Sequence, residues 1–457
     1  MGIRSGLAGL SLSVLLSALG TSVANVALPT LAGAFSATFP RVQWVVLGYL
    51  LAITTLVVSA GRLGDLLGRR RALLGGLAVF TAASVLCGLA PSLWLLVAGR
   101  VAQGLGAALM MALALAFVGD TVPKERTGRA MGLLGTMSAV GTALGPTLGG
   151  VLIAGFGWRA VFLVGAPLGA VALVLAYRYL PADRATGDRA GFDRVGTALL
   201  ALTLTAYALA LTVGRGEVTM ALIAVSAVGL GFFLRSQRRV ANPLVRLGML
   251  RDRVLAPGLA SSAIVSTVMM ATLVVGPFHL SRALGLAPAV VGLVMTVGPL
   301  VTALTGVPAG RLVDRVGARR VTLLGLSALA LGCGLLAVAP ASLGIAGYVV
   351  PLAVTTAGYA LFQTANNTAV MADVPADRRG VVSGLLNLAR NLGLVTGTSA
   401  LGAVFAWASS SADITTAVPA GVAAGTRATF AVAVGLIAVA LAVAAKSRVR
   451  REALSAR

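Results

Sequence analysis

The groups able to do chemistry inside the long apolar stretches of this 457-residue chain are few, and they are cationic or neutral. Arg100 and Gln103 stand three residues apart, and Asn387, Arg390 and Asn391 follow an i, i+3, i+4 spacing, so each set would share one face of a helix. Asn25, Gln363, Asn366 and Asn367 add neutral amides. A guanidinium in hydrocarbon costs several kcal/mol unless carbonyls, water or an anion meet it. Such faces point to holding a neutral, zwitterionic or anionic polar group rather than to making or breaking bonds. His279, the sole histidine, is the side-chain type that titrates near neutral pH, which makes it a candidate coupling residue at the outer end of its stretch.

Catalytic apparatus is missing from the pattern. No GxxxxGK[ST] loop is present to cradle a nucleotide, and Gly104-Leu105-Gly106 lies inside an apolar run with no preceding strand, so it is no dinucleotide fingerprint. One histidine excludes HExxH and any multi-histidine metal site. Cys87 and Cys333 fall in separate apolar runs without paired spacing and read as small packing residues. The expectation is a non-enzyme with no cofactor and no metal.

The elements that must position these side chains are membrane helices. The chain is 58% hydrophobic and 11% charged, too little polar surface for a soluble globule of this length. Apolar runs long enough to cross a hydrocarbon core of ~30 Å recur near 6–28, 43–61, 72–91, 93–118, 130–153, 159–180, 195–213, 218–235, 256–279, 288–309, 321–340, 344–371, 381–407 and 427–446, predicting fourteen spans. With both termini inside, 29 of the 36 lysines and arginines fall on the cytoplasmic side, an asymmetry that sets the orientation. The net charge of +23 is therefore assigned to short loops that can meet anionic membrane lipids, and nucleic acid is not an expected partner.

Two loops share one grammar. Gly61-Arg62-Leu63-Gly64-Asp65-Leu66-Leu67-Gly68-Arg69-Arg70-Arg71 returns 249 positions later as Gly310-Arg311-Leu312-Val313-Asp314-Arg315-Val316-Gly317-Ala318-Arg319-Arg320. Each lies between two apolar runs, so the chain is an internally duplicated membrane protein. The glycines predict a tight turn. Asp65 can pair with neighbouring arginines such as Arg69 or cap the next helix, and with Asp314 it forms a candidate polar latch. In the fifth run Gly141, Gly145 and Gly149 recur every fourth residue beside Pro146, and Gly393 and Gly397 are a looser echo in the thirteenth. Such small-residue faces let a partner helix approach closely.

Taken together, these segments resemble the major facilitator superfamily, and within it the fourteen-span drug:H+ antiporter branch. The loops at 61–71 and 310–320 resemble the superfamily signature and its later copy, Arg100 to Ala107 the fourth-span motif, Gly141 to Gly150 the fifth-span motif of exporters, and Leu19 to Pro29 the first-span motif. Trp44, Tyr49 and Trp158-Arg159 sit where the branch tends to place them. The resemblance implies an all-α membrane protein with two six-helix bundles about a central cavity, two additional helices, and alternating access. Expected boundaries are 1–180 for the first bundle, 181–255 for the added helices and basic linker, and 256–457 for the second bundle and basic tail.

By the same resemblance, Asp65 gates the bundles, Arg100 serves near a proton path, and the glycines of the fifth span bias toward export. The resemblance also implies a multi-pass protein of a bacterial cytoplasmic membrane, monomeric, exporting small amphipathic drugs or metabolites in exchange for protons. One departure is marked: the branch commonly carries an aspartate where this chain has Gly20. All thirteen acids are assigned to loops, the tail or helix ends, so no carboxylate is expected in the bilayer core. This leaves an alternative, a facilitator or exchanger of anionic or neutral metabolites without a carboxylate proton site. Asn25, Trp44, Tyr49, Gln103, Gln363, Asn366, Asn367, Asn387, Arg390 and Asn391 are the candidate cavity residues.

Overall fold

A computed structural model describes residues 2–121, 124–183, 193–212, 216–240, 243–245, 247–252, 254–372, 374, 379–409 and 418–455. Among them there is no strand, as expected where no water is available to satisfy backbone groups and each segment must bond within itself. The long helices are α1 (Gly2–Ala34), α2 (Trp44–Leu67), α3 (Arg69–Leu89), α4 (Leu93–Thr121), α5 (Lys124–Phe156), α6 (Gly165–Tyr179, after a short helix Trp158–Leu163), α7 (Arg194–Thr212) and α8 (Glu217–Arg239). There follow α9 (Leu255–Phe278), α10 (Pro288–Val316), α11 (Ala318–Val338), α12 (Ala346–Met371), α13 (Arg379–Thr396) and α14 (Pro419–Ser455). Thirteen helices among the described residues have the length and composition of membrane spans. The expected run at 344–371 is present as α12, but Thr355, Thr356, Gln363, Asn366 and Asn367 leave it outside that set.

The chain divides into two compact units, 1–37 with 41–245 and 38–40 with 246–457. The duplication read from the loops extends to packing within each unit. In the first, α1 packs on α5 and α6, α4 on α2 and α3, and α3 on α6. In the second, α9 packs on α13 and α14, α12 on α10 and α11, and α11 on α14, which is the same set of partners eight helices later. The added helices α7 and α8 pair with each other within the first unit, and α7 also meets α2.

The repeated loops are shorter than expected. Residues 61–67 continue α2, and the whole turn is Gly68, with φ of 91°. The second copy turns at Gly317 alone, with φ of 87°. Only glycine adopts such a backbone without strain, and nothing in 61–67 breaks a helix, so the helix runs on to the one residue that must reverse it. The start of α3 is capped by a distant carboxylate, while the side chain of Asp65 lies outside the described residues. Asp183, beyond α6, accepts the backbone N–H groups of Arg70 at 2.7 Å and Arg71 at 3.2 Å, satisfying orphan donors at the start of α3. A Cβ on Gly68 would overlap that carboxylate.

The glycine faces do what their spacing predicts. A Cβ on Gly141 would strike the Leu15 carbonyl, one on Gly145 the Ser22 hydroxyl, and one on Gly149 would lie 3.2 Å from the Val23 carbonyl, so α5 seats its bare face on α1. Gly393 and Gly397 play the same part in the second unit, against the carbonyls of Ala263 and Thr267 on α9. Gly145→Leu is expected to cost about 1–3 kcal/mol of stability, the usual penalty for overpacking. Gly155→Ala, at a position where nothing lies within 4 Å of the new Cβ, should leave the thermal unfolding midpoint in detergent unchanged.

Candidate functional site

Arg100 is fully buried on α4 and ties four helices together. Its Nε donates to the Val45 carbonyl of α2 at 2.9 Å, and its Nη2 to the Gly20 carbonyl of α1 at 2.8 Å. Its Nη1 donates to Oε1 of Gln103, one turn along the same helix. Gln103 passes the network on, donating from Nε2 to the Ser84 hydroxyl of α3 at 2.8 Å, and Ser84 donates to the Phe80 carbonyl. The guanidinium also lies 4.2 Å from the Tyr49 ring centroid and 5.9 Å from that of Phe162, within the range of cation–π attraction. Among the described residues no carboxylate bonds to it.

Gly20 explains how the cation is fitted. A Cβ there would lie 3.1 Å from the Tyr49 hydroxyl and 3.3 Å from its ring, so the missing side chain is the space that the ring occupies. Tyr49 is itself buried and donates to the Ser17 carbonyl at 2.7 Å. An aspartate at position 20 would compete with the ring that now faces the cation. Arg100 in this chain is therefore held by carbonyl dipoles, an amide and aromatic faces.

The other expected site residues of the first unit divide by whether their polar atoms are satisfied. Trp44 is buried and donates from Nε1 to the Thr212 hydroxyl of α7 at 3.2 Å, so it fastens the added pair of helices. Asn25 is buried and donates to the carbonyls of Thr21 and Ser22, while its Oδ1 has no partner among the described residues. Gly141, Gly145, Pro146 and Gly149 all lie within α5. Arg69 opens α3 and is partly buried. The side chain of Asp65 lies outside the described residues.

In the second unit Asn366 is buried on α12 and donates to the Gly258 carbonyl of α9 at 3.2 Å, an inter-helix tie. Gln363, one turn earlier, keeps its Oε1 buried and without a partner. Asn387, Arg390 and Asn391 lie on α13, the most amphipathic of the long helices. Each is partly buried, as is Asn367, and none of the four has a hydrogen-bond or ion-pair partner among the described residues. His279 sits in a π-turn, His279–Ala283, after α9. Its ring stacks on Tyr348 with centroids 5.6 Å apart, and its Nδ1 is buried without a partner. Asp314 is exposed at the end of α10.

Reading residue types alone missed the groups that complete the Arg100 network. The carbonyls of Val45 and Gly20 carry no sequence signal. Ser84 does carry a weak one, as a hydroxyl in an apolar helix. Asp193 was also missed: it is buried, accepts Gly196 N–H at 2.7 Å and Gln237 Nε2 at 2.7 Å, and so joins the start of α7 to the end of α8.

The sequence profile described as Major Facilitator Superfamily matches residues 10–398, and a second match covers 258–457. The chain belongs to the Major Facilitator Superfamily. It is 35% identical over 399 residues to the multidrug resistance protein Stp of Mycobacterium tuberculosis, covering 86% of this chain and 74% of that one. It is 30% identical over 397 residues to the riboflavin transporter RibZ of Clostridioides difficile, covering 86% of each. Among solved structures, a bacterial homologue of the human lysosomal transporter Spinster has the same fold, with a TM-score of 0.70 at 18% identity over 96% of both chains. The chain is thus a multi-pass membrane transporter of bacterial type and not an enzyme.

The ring and the hydroxyl of Tyr49 make separable contributions. Tyr49→Phe should cost about 1 kcal/mol, the worth of one buried hydrogen bond, because the ring stays over the guanidinium. Tyr49→Leu should cost a further 0.5–2 kcal/mol or so as the cation loses its aromatic face. Thermal unfolding of the two variants in detergent reads the difference, and equal losses would contradict the cation–π contact.

Proposed function

We propose that this transporter exports small amphipathic drugs or metabolites by alternating access, with proton antiport as its energy source, and that the polar end of its substrates is neutral or anionic. The observation that carries the substrate charge is the α13 face of Asn387, Arg390 and Asn391, a cation and two amides with their hydrogen-bonding capacity unspent among the described residues. A half-buried guanidinium with free donors is a natural partner for a carboxylate, a phosphate or a carbonyl. Relatives named as a multidrug resistance protein and a riboflavin transporter support a cargo that is part apolar and part polar.

A second reading has its own observation. Arg100 is satisfied by carbonyls, an amide and aromatic rings, and the acids of the sequence fall outside the apolar centres of the spans. A facilitator or exchanger of anionic or neutral metabolites needs no carboxylate to carry a proton, and that arrangement suits it.

Flux in proteoliposomes separates the two. The exporter reading expects an imposed pH gradient to drive substrate uphill; accumulation that never responds to the gradient favours the exchanger. In either case Arg390→Ala should lower flux of an anionic amphiphile by about tenfold, the loss of roughly one charge-assisted hydrogen bond. Normal anion flux through that variant would overturn the assigned substrate charge.

A further inference from the structure

The end of α8 carries a feature that the transport reading does not use. Arg235, Arg238 and Arg239 line a cavity of about 320 Å³ together with Gly231 and Leu234. The three arginines are exposed, and none has a hydrogen-bond or ion-pair partner among the described residues. They occupy i, i+3 and i+4, so three guanidinium groups converge on one face of one helical turn.

That face is turned away from α7. Ser226 donates to the Thr203 carbonyl of α7, a Cβ on Gly229 would meet the Thr203 hydroxyl, and Phe233 and Gln237 are buried, which defines the seam between α7 and α8. At 3.6 residues per turn the arginines and Gly231 fall on the opposite side of the helix. Gly231 lies one turn before Arg235, with nothing within 4 Å of where its Cβ would be, so the helix has a notch directly beneath the cations. Val228 and Met220, 58% and 68% exposed, continue the same face away from the arginines as an apolar track.

We propose that this face is a binding site for one anionic phospholipid. The phosphate is held by Arg235, Arg238 and Arg239, the glycerol sits in the notch at Gly231, and an acyl chain lies along Val228 and Met220. The argument is charge complementarity joined to geometry. Three uncompensated cations at the expected cytoplasmic end of a helix attract an anionic headgroup, and the bare, apolar surface continuous with them is that of a lipid tail and not of a soluble anion. The site rests on the orientation read from the distribution of basic residues. It also gives α8 a purpose: with almost none of its membrane-length stretch fully buried, α8 presents a lipid-facing surface while Gln237, on its inner side, binds Asp193 at the start of α7.

The test is native mass spectrometry of the purified full-length chain offered dioleoylphosphatidylglycerol or dioleoylphosphatidylcholine in equal amount, with sodium phosphate as a separate arm. Phosphatidylglycerol should be retained over phosphatidylcholine, and Arg→Gln substitution at 235, 238 or 239 should weaken its retention by about fivefold per arginine. Gly231→Leu, at an open position that folding does not need, should lower phosphatidylglycerol retention by itself. Equal retention of the two lipids overturns the proposal, as does retention unchanged in both the triple Arg→Gln and the Gly231→Leu chains. Phosphate alone displacing the bound lipid would assign the arginines to a free anion. A dimer that the Arg→Gln substitutions dissolve would assign the face to a second copy of the chain; either result overturns the lipid site.

Discussion

A guanidinium inside an apolar bundle is the constraint on which the first unit is built. Arg100 must find acceptors or the fold loses several kcal/mol, and it finds them only because three other helices come within reach: the Gly20 carbonyl of α1, the Val45 carbonyl of α2 and, through Gln103, the Ser84 hydroxyl of α3. That closeness in turn depends on glycine. Gly20 leaves room for the Tyr49 ring, and a Cβ on Gly104 would strike the Tyr49 carbonyl. The cation thus specifies which helices meet and at what depth, in the way that buried polar groups fix register elsewhere.

The second unit repeats the helix pairing without repeating the cation. The α9–α13 seam copies that of α1 with α5, down to glycines seated on backbone carbonyls. No arginine in α12 matches Arg100, and the amides there are Gln363, Asn366 and Asn367. Of these, Asn366 is spent on holding α12 to α9. The free hydrogen-bonding capacity of the second unit lies instead on α13, where Asn387, Arg390 and Asn391 share a face. The duplication therefore conserves packing and diverges in chemistry, so one cation has a structural shell and the other has none among the described residues.

The sequence was informative where the signal is a period or a hydropathy, and silent where it is a backbone atom. The helices were legible from their length in apolar residues. The glycine faces at 141, 145 and 149 could be read from their spacing, although nothing in that spacing names α1 as the partner. The turn in each repeated loop was placed in the right region and overestimated in length, since one glycine with positive φ suffices. The carboxylate that caps α3, Asp183, stands 113 residues beyond Arg70, a relation that only the folded chain reveals. Burial of Arg100 was legible, and its partners were not, because two of them are carbonyls that every residue carries.

The central claim is a division of labour between two arginines: Arg100 is consumed by structure, and Arg390 with its flanking asparagines is left for cargo. Bound-ligand density in the purified chain, held in lipid nanodiscs with a transported amphiphile, tests this most directly. The account predicts the polar end of the ligand within hydrogen-bonding distance, about 3 Å, of the α13 face, with the carbonyls of Gly20 and Val45 still bound to Arg100. A ligand whose polar end displaces those carbonyls from Arg100, and leaves Asn387, Arg390 and Asn391 untouched, would contradict it.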